Sequence, residues 1–237
     1  MKKFIFALAA LLGLASCNIE RDLSFVVQEM MNIQGGMLVN DLGVRYSVSA
    51  KDASDIFTNQ RVFMTGTAEP AEASGYDYVL TPYEWYGVLV KDCVKLSTVE
   101  DVDETLGTCP VSLDHVWFQG GFINALTTVS FDMDEEDKPI EVNMLFDDVR
   151  STGNDLYFIL KNKQGGRTWE DDTLSPEKVI FGGQFLSFRY EDYVQPGFKG
   201  ELAFHLEWKW FDANPYSDEY PYRTVTVRQE YFTITVE

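Results

Sequence analysis

The segment VSLDHVWFQGGFINALTTVSF, residues 111–131, contains in one place the pattern that recurs along this chain. Two runs rich in β-branched and aromatic residues flank Gly120-Gly121, and such runs separated by glycines predict two strands joined by a tight turn. Similar glycine pairs follow Gln34 and Gln164, and aromatic residues make up 14% of the chain. These features predict an all-β protein.

The strand-like runs fall into two blocks. About five short runs between residues 25 and 97 predict a small barrel or a curled sheet. The hydrophobic pattern then fades into VEDVDETLGT, which we interpret as an acidic linker over residues 98–108. About six or seven further runs over residues 109–237, separated by turns, predict a β-sandwich.

The N-terminus indicates export and lipid anchoring. A basic start, an apolar stretch that ends at Leu14 and small residues after it are typical of a secretory signal peptide, here residues 1–16. The sequence LASC, ending at Cys17, resembles the lipobox of bacterial lipoproteins, in which the cysteine receives a diacylglycerol and becomes the first mature residue. An ordinary cleaved signal with a chance cysteine is the alternative. With lipidation, residues 17–24 form a tether to the membrane.

The charge of the chain narrows the choice of partners. The net charge is −19, and it becomes −21 when Lys2 and Lys3 are removed with the signal peptide. Nucleic-acid binding depends on Lys and Arg contacts to phosphates, so this composition argues against a nucleic-acid partner. Thirteen acidic residues and one Lys or Arg, Lys138, lie between Glu100 and Asp148 inclusive. We interpret this excess as a solvated surface, with binding of cations or basic partners as the alternative.

Motifs for catalysis or metal binding are weak. The two histidines, His115 and His205, are far apart in sequence and there is no Cys-x-x-Cys pair, so we predict no zinc site. The sequence also has no Gly-x-Ser-x-Gly motif and no phosphate-binding glycine loop. The acidic stretch DMDEEDKP, residues 132–139, lacks the turn glycine and the final glutamate of an EF-hand loop, so a solvated hairpin tip is favoured over a calcium site. We therefore predict no catalytic residue, cofactor or metal.

Aromatic residues supply the candidate binding positions. Trp208 and Trp210 alternate with charged residues and so share one strand face, an arrangement typical of a core. The loop that follows carries Tyr216, Tyr220 and Tyr222. Exposed loop tyrosines would suit stacking on a sugar or packing against a protein partner, but simple packing within the fold is favoured.

Two cysteines remain once Cys17 is lipidated. Cys93 ends the last strand-like run of the first block, and Cys109 begins the second block. Exported proteins meet oxidising conditions, so we predict a disulfide between these two residues. It would close a loop of about 15 residues and stabilise the fold by about 3 kcal/mol. Two separate buried thiols are the alternative.

The chain resembles the NigD-like lipoproteins of Gram-negative bacteria. The resemblance is carried by GMLVNDLGVRYSV, NQRVFMTG, YDYVLTPYEWYGVLVKD, LGTCPVSLDHVWFQGGFINA and VTVRQEYFTITV, and WFQGGFIN at residues 117–124 is its most specific part. It implies a small OB-like barrel followed by a β-sandwich. It implies no established activity and no catalytic residues, and the family name comes from an association with a bacteriocin gene cluster.

Together these features predict a lipid-anchored protein of the cell envelope, with the outer membrane as its expected location. We interpret it as a non-enzymatic binding or assembly module whose partner is an envelope protein or a glycan. Two alternatives remain open. One is a glycan hydrolase that uses a carboxylate pair, and the other is an accessory or immunity protein associated with a bacteriocin.

Overall fold

The computed structural model describes residues 23–48, 54–72, 75–132, 140–164, 179–211 and 225–236. Most of these residues lie in strands, which confirms the predicted all-β class. A closed barrel is followed by two sheets, as expected for an OB-like barrel and a sandwich. No helix in this described part of the chain is long and apolar enough to span a membrane.

Five strands form the barrel: β1 (Phe25–Gln34), β2 (Met37–Asn40), β3 (Arg45–Val48), β4 (Arg61–Pro70) and β5 (Tyr78–Gly87). Their order around the barrel is β1-β2-β3-β5-β4, with β3 and β5 parallel and the other pairs antiparallel. This Greek-key order is that of an OB-type barrel. Apolar side chains fill the interior, among them Met31, Leu38 and Met64, which are fully buried.

Nine strands of the described chain form the sandwich: β6 (Leu89–Asp92), β7 (Val94–Lys95), β8 (Val111–Gln119), β9 (Phe122–Asp132), β10 (Ile140–Phe146), β11 (Asp155–Gln164), β12 (Val179–Arg189), β13 (Gly200–Phe211) and β14 (Val225–Val236). One sheet has the order β14-β13-β11-β10-β7, and the other has the order β6-β12-β9-β8. Short 3-10 turns lie at Leu96–Thr98 and Glu191–Tyr193. The two sheets bury one apolar core, to which Trp208 and Trp210 belong as predicted.

The β8–β9 hairpin shows why residues 111–131 form two strands. Gly120 and Gly121 occupy the turn with φ angles of +61° and +80°, a backbone region that residues with a Cβ rarely adopt. The turn pairs Gln119 with Phe122, and the register continues until a bulge at Asp114. The local glycine pattern therefore fixes this strand pairing.

The structure corrects the predicted end of the barrel at residue 97. The barrel ends with β5 at Gly87, whereas β6 and β7 belong to the sandwich, where β6 pairs with β12 and β7 pairs with β10. Both pairings are parallel, so the partner strands come much later in the chain and no local pattern indicates them. Between these two strands, at Cys93, the chain passes from one sheet of the sandwich to the other.

Residues 98–108, interpreted from sequence as an acidic linker, lie against the sandwich. They contain the helix α1 (Val102–Leu106). Lys161 on β11 donates a hydrogen bond to Asp103 at 2.6 Å, and Leu106 is buried. This stretch is therefore part of the sandwich domain and does not connect the two domains.

Candidate binding site at the barrel–sandwich interface

Arg61, the first residue of β4, lies completely buried between the barrel and the sandwich. Its guanidinium carries five N–H donors in a fixed plane, and a charged group is buried only where its charge and its donors are satisfied. The buried carboxylate of Asp41 accepts from Nη1 at 2.7 Å and from Nη2 at 2.5 Å. Two parallel charge-assisted hydrogen bonds of this kind fix both the position and the orientation of the guanidinium.

The remaining donors of Arg61 reach residues of both domains. Nη1 also donates to Asn32 Oδ1 on β1 at 2.7 Å, and Nη2 donates to Asn124 Oδ1 on β9 at 3.1 Å. Nε donates to Ser187 Oγ on β12 at 3.1 Å, and this hydroxyl donates to Asn124 Oδ1 at 2.7 Å. One side chain thus connects the barrel to the sandwich. We call the five residues of this network the joint: Asn32, Asp41, Arg61, Asn124 and Ser187.

The WFQGGFIN segment, the most specific part of the family resemblance, supports the joint. The ring of Phe122 packs on the guanidinium, with Arg61 Cζ 4.5 Å from the ring centroid, which is a cation–π contact. Asn124, from the same segment, is one of the acceptors. A Cβ at Gly120 would lie 2.6 Å from the Asp41 carboxyl. Only glycine therefore allows the β8–β9 turn to approach the joint this closely.

The contacts between the barrel and the sandwich change from polar to apolar two residues away from Asn124 on β9 and Ser187 on β12. Leu126 pairs with Phe185 there, in the same way that Asn124 pairs with Ser187. Phe185 stacks on Phe63 of the barrel, with ring centroids 4.4 Å apart and ring planes 13° apart. Residues two apart in a strand share one face and are separated by about 7 Å. The joint and this aromatic contact are therefore neighbours on one side of the sheet.

An open groove of about 580 Å³ lies beside the aromatic contact. We call it the interface groove, and it is lined by residues of β5, β6, β9 and β12: Tyr86, Gly87, Leu89, Leu126, Gly183, Gln184 and Phe185. Two of these residues, Tyr86 and Leu89, are 45% and 46% exposed, so the groove is open to solvent. Its volume is in the range of known ligand sites, about 300–1,000 Å³.

The chemistry of the interface groove favours an apolar or aromatic group. Aromatic and leucine side chains supply most of its lining, and Gln184 adds an amide. The hydroxyl of Tyr86 donates a short hydrogen bond to the Glu84 carboxylate, which raises the pKa of Tyr86 above its usual value. This tyrosine therefore stays protonated at neutral pH and serves as a contact surface, not as a general base.

A smaller cleft of about 190 Å³ lies on the outer face of the five-stranded sheet and contains His205. The imidazole stacks on Tyr157 with ring centroids 4.0 Å apart, and its Nε2 lies 2.9 Å from Asp155 Oδ1. These contacts place His205 on the outer face of the sheet. Among the described residues, no group of three or more His, Cys, Asp or Glu side chains is placed to hold a metal ion.

The structure does not contain the predicted disulfide between Cys93 and Cys109. Both residues are buried, and their sulfur atoms are not bonded to each other. The Cys93 thiol donates to the Arg189 carbonyl at 3.2 Å, and burial raises its pKa. Burial also raises the pKa of Tyr193, whose hydroxyl donates to the Cys93 carbonyl, to about 12. Cys109 follows α1, where its N–H donates to the Asn162 carbonyl at 3.1 Å.

Other predicted positions lie outside the described residues. They are the lipidation site Cys17, the loop tyrosines Tyr216, Tyr220 and Tyr222, and residues 133–139 of the acidic stretch. The predicted signal peptide, residues 1–16, and most of the tether lie outside them as well. These positions stay predictions.

The sequence alone did not reveal the joint. Arg61 stands in NQRVFMTG and Asp41 in GMLVNDLGVRYSV, and both segments carry the family resemblance. An arginine or an aspartate beside a turn normally indicates an exposed residue. Their presence in these segments was the one available signal, and it does not show that the two side chains meet.

No protein-family model matches the chain, and no curated protein matches it in sequence. Several solved structures are nevertheless similar. A protein of unknown function from Bacteroides vulgatus is 16% identical, with a TM-score of 0.60 over 90% of this chain and 92% of that one. A NigD-like immunity protein from Bacteroides caccae is 13% identical, with a TM-score of 0.58 over 90% and 97%. A proposed lipoprotein from Bacteroides fragilis is 9% identical, with a TM-score of 0.52 over 90% and 98%.

At such low identities these likenesses show a shared fold. They extend over nearly the whole of each chain, so both the barrel and the sandwich are included. The resemblance to NigD-like proteins is therefore confirmed at the level of the fold. None of the three similar proteins is named as an enzyme.

Proposed function

We propose that this protein is a non-enzymatic binding module of the cell envelope, anchored by a lipid on Cys17, which holds a segment of an envelope protein in the interface groove. The observation that carries the proposal is an open, mostly apolar groove between two domains that Arg61 connects. Ligand sites occur preferentially at domain interfaces and are lined by apolar and aromatic groups with a few polar ones.

The joint gives the interface groove fixed walls. Tyr86 on the barrel and Phe185 on the sandwich both line the groove, and their ring centroids are 5.5 Å apart. If the two domains moved freely, each binding event would have to order these walls at an entropic cost. Arg61 lies two residues from Phe63 and Ser187 lies two residues from Phe185, and both belong to the joint. The walls of the groove are therefore already ordered before a ligand binds.

The lining of the groove favours a protein segment over a sugar. Sugar recognition requires several convergent hydrogen-bonding groups, whereas most of the contact surface here comes from Tyr86, Leu89, Leu126 and Phe185. A leucine or phenylalanine of the partner that becomes fully buried in such a groove contributes about 1.5–3 kcal/mol. The net charge, which is −21 without Lys2 and Lys3 of the signal peptide, favours a partner with neutral or basic surroundings.

Lipid anchoring at the outer membrane is part of the proposal. It is supported by LASC at residues 14–17 and by the shared fold of the proposed lipoprotein from Bacteroides fragilis. Metabolic labelling with an alkyne fatty acid tests the anchor, and Cys17→Ala should remove the label. Equal labelling of the two chains would contradict lipidation. Separation of inner and outer membranes on a density gradient tests the location of the labelled protein.

Site-specific photocross-linking tests the interface groove. A photoreactive amino acid at Leu89, in the groove, should give one dominant product with an envelope protein in intact cells. The matched control is Leu42, which is 76% exposed and does not line the groove. Phe185→Ala removes one side of the aromatic contact and should abolish the product from position 89.

The outcomes of this experiment separate the alternatives. Equal products from positions 89 and 42, or no product from position 89, would contradict binding in the groove. A product that carries polysaccharide in place of protein would contradict the protein partner and favour the glycan. The control at Leu42 distinguishes a specific site from general crowding at the membrane.

An immunity or accessory role towards a bacteriocin is a second candidate. It is favoured by the NigD-like immunity protein from Bacteroides caccae, whose fold this chain shares. In that case the bound segment belongs to a bacteriocin or to its export machinery. Cells that lack this protein should then become more sensitive to the bacteriocin, and unchanged sensitivity would contradict the role.

A further inference from the structure

The sheet edges of the sandwich differ in a way that singles out β14. β6 and β7 have only four and two residues, and β8 is interrupted by the bulge at Asp114. Short strands and bulges are common protections of a sheet edge against pairing with another chain. β14 has twelve residues in uninterrupted register with β13, so it has neither protection.

The middle of β14 is accessible. Within the described part of the chain its only strand neighbour is β13. Val227 is 54% exposed and Tyr231 is 61% exposed, and the three residues between them are exposed as well. A long, regular and partly apolar edge strand is a template for the addition of another strand.

We propose that a second copy of this chain adds its β14 antiparallel to this edge, about a two-fold axis through Gln229. A two-fold axis perpendicular to the sheet keeps equivalent faces of both copies on one side, so paired residue numbers must differ by an even number. With the axis at Gln229, Arg228 lies opposite Glu230 of the partner subunit, and Glu230 lies opposite Arg228 of the partner subunit. These are the only charged residues of β14, and they form two pairs of opposite charge.

The neighbouring registers are disfavoured by the same two residues. An axis at Arg228 places two arginines opposite each other, and an axis at Glu230 places two glutamates opposite each other. Like charges directly opposite each other destabilise a strand pair. The sequence of β14 is therefore complementary to itself around Gln229, which favours a second copy over an unrelated strand.

The same register also pairs the exposed apolar residues. Val227 lies opposite Tyr231 of the partner subunit, on the sheet face that carries His205. Pairs of a β-branched and an aromatic residue stabilise adjacent strands. The two five-stranded sheets become one continuous sheet across the axis. Because both copies use the same strand, the contact closes as a dimer and does not propagate into a fibre.

Cysteine substitution at the axis tests this geometry. Gln229→Cys in the full-length chain places two thiols directly opposite each other, with Cα atoms about 4.5–5.5 Å apart, which suits a disulfide. Thr235→Cys is the matched control: it is exposed on the same face, but the two copies of it are about 40 Å apart in the proposed dimer. After mild oxidation in cells, non-reducing electrophoresis should show a covalent dimer for Gln229→Cys alone. The unsubstituted chain gives the background.

Charge reversal then tests the register. Arg228→Glu places acidic residues opposite each other and should lower the yield of the Gln229→Cys dimer about tenfold, and Glu230→Arg should do the same. Combining Arg228→Glu with Glu230→Arg restores opposite pairs and should restore the dimer, which also shows that the variants fold. The proposal is overturned by equal dimer from positions 229 and 235, by no dimer, or by a product with a different protein. Failure of the double reversal to restore the dimer overturns the register.

Discussion

Two arginine–aspartate pairs in this protein have nearly the same contact distance and very different surroundings. Arg61 Nη2 lies 2.5 Å from the Asp41 carboxylate, and Arg150 Nε lies 2.6 Å from the Asp147 carboxylate. The side chains of the first pair are 0% and 1% exposed, whereas Arg150 is 42% exposed. The first pair belongs to a network that spans two domains, and the second closes one turn after β10.

Asp147 acts locally. Its Oδ1 accepts from the backbone N–H groups of Val149 and Arg150 at 3.1 and 2.9 Å. Burial by itself raises the pKa of Asp147, but these donors and the Arg150 side chain outweigh it, so the pKa lies below its usual value. The two pairs therefore differ in what remains when the aspartate is removed. Only the loss of Asp41 leaves a fully buried charge, and this decides the cost more than the contact distance does.

The substitution Asp41→Ala should lower the stability of the protein the most. It leaves the Arg61 charge buried without its counter-ion, so we expect the free energy of unfolding to fall by about 3–5 kcal/mol. Urea unfolding followed by tryptophan fluorescence measures this loss. A loss below about 1 kcal/mol, the size typical of an exposed ion pair, would contradict the importance of the joint.

Gly120→Ala tests the contact between the β8–β9 turn and the joint. Gly120 and Gly35 have φ angles of +61° and +59°, so alanine at either position carries a similar backbone strain, about 1–2 kcal/mol. A Cβ at Gly35 meets nothing within 4 Å, whereas a Cβ at Gly120 would lie 2.6 Å from the Asp41 carboxyl. We expect Gly120→Ala to lower the free energy of unfolding by about 2 kcal/mol more than Gly35→Ala does. Equal losses would mean that Asp41 can move without disturbing the joint.

Asp147→Asn should give a smaller and pH-dependent effect. At neutral pH we expect a loss of about 1 kcal/mol, because solvent screens the half-exposed Arg150. The folded pKa of Asp147 lies below the unfolded value of about 3.9, so its contribution is complete above that value and disappears as the pH falls through the folded pKa. Unfolding of both chains between pH 7 and pH 2 should show the difference shrinking below about pH 4. A difference that grows on acidification would contradict this assignment.

The smallest effect is expected for Asp77→Ala. Asp77 pairs with Arg45 at 3.5 Å, and the two side chains are 42% and 48% exposed. Its Oδ2 also accepts from the Arg45 backbone N–H at 2.8 Å, but solvent already surrounds both groups, so we expect a smaller change in the urea midpoint than for Asp147→Asn. A loss equal to that of Asp147→Asn would show that exposure does not rank these pairs.

Local features of the fold could be predicted from the sequence. The glycines after Gln119 mark the β8–β9 turn, and the alternation around Trp208 and Trp210 places both indoles in the core. These features depend on residues close together in the chain, where strand periodicity and turn chemistry give a clear signal.

Features set by distant contacts could not be predicted. β6 follows β5 directly and has the same strand-like sequence pattern. Its partner residues, Leu186–Arg189, come almost a hundred residues later. Arg61 and Ser187 are 126 residues apart in the chain. An arginine at the start of a strand normally indicates a surface residue. The interface groove depends on the same long-range packing, since Phe63 and Phe185 come from different domains.

The early position of β6 and β7 in the chain has a consequence for synthesis. All five barrel strands have been synthesised once Gly87 has been made, but β7 must wait for Leu145–Phe146 and β6 for Leu186–Arg189. At about 5–20 residues per second, the second delay lasts roughly 5–20 s. During that interval we expect a nascent chain with a folded barrel and two strands that have no sheet to join. Translation arrested near residue 140 should therefore yield a protease-resistant barrel followed by a protease-sensitive tail.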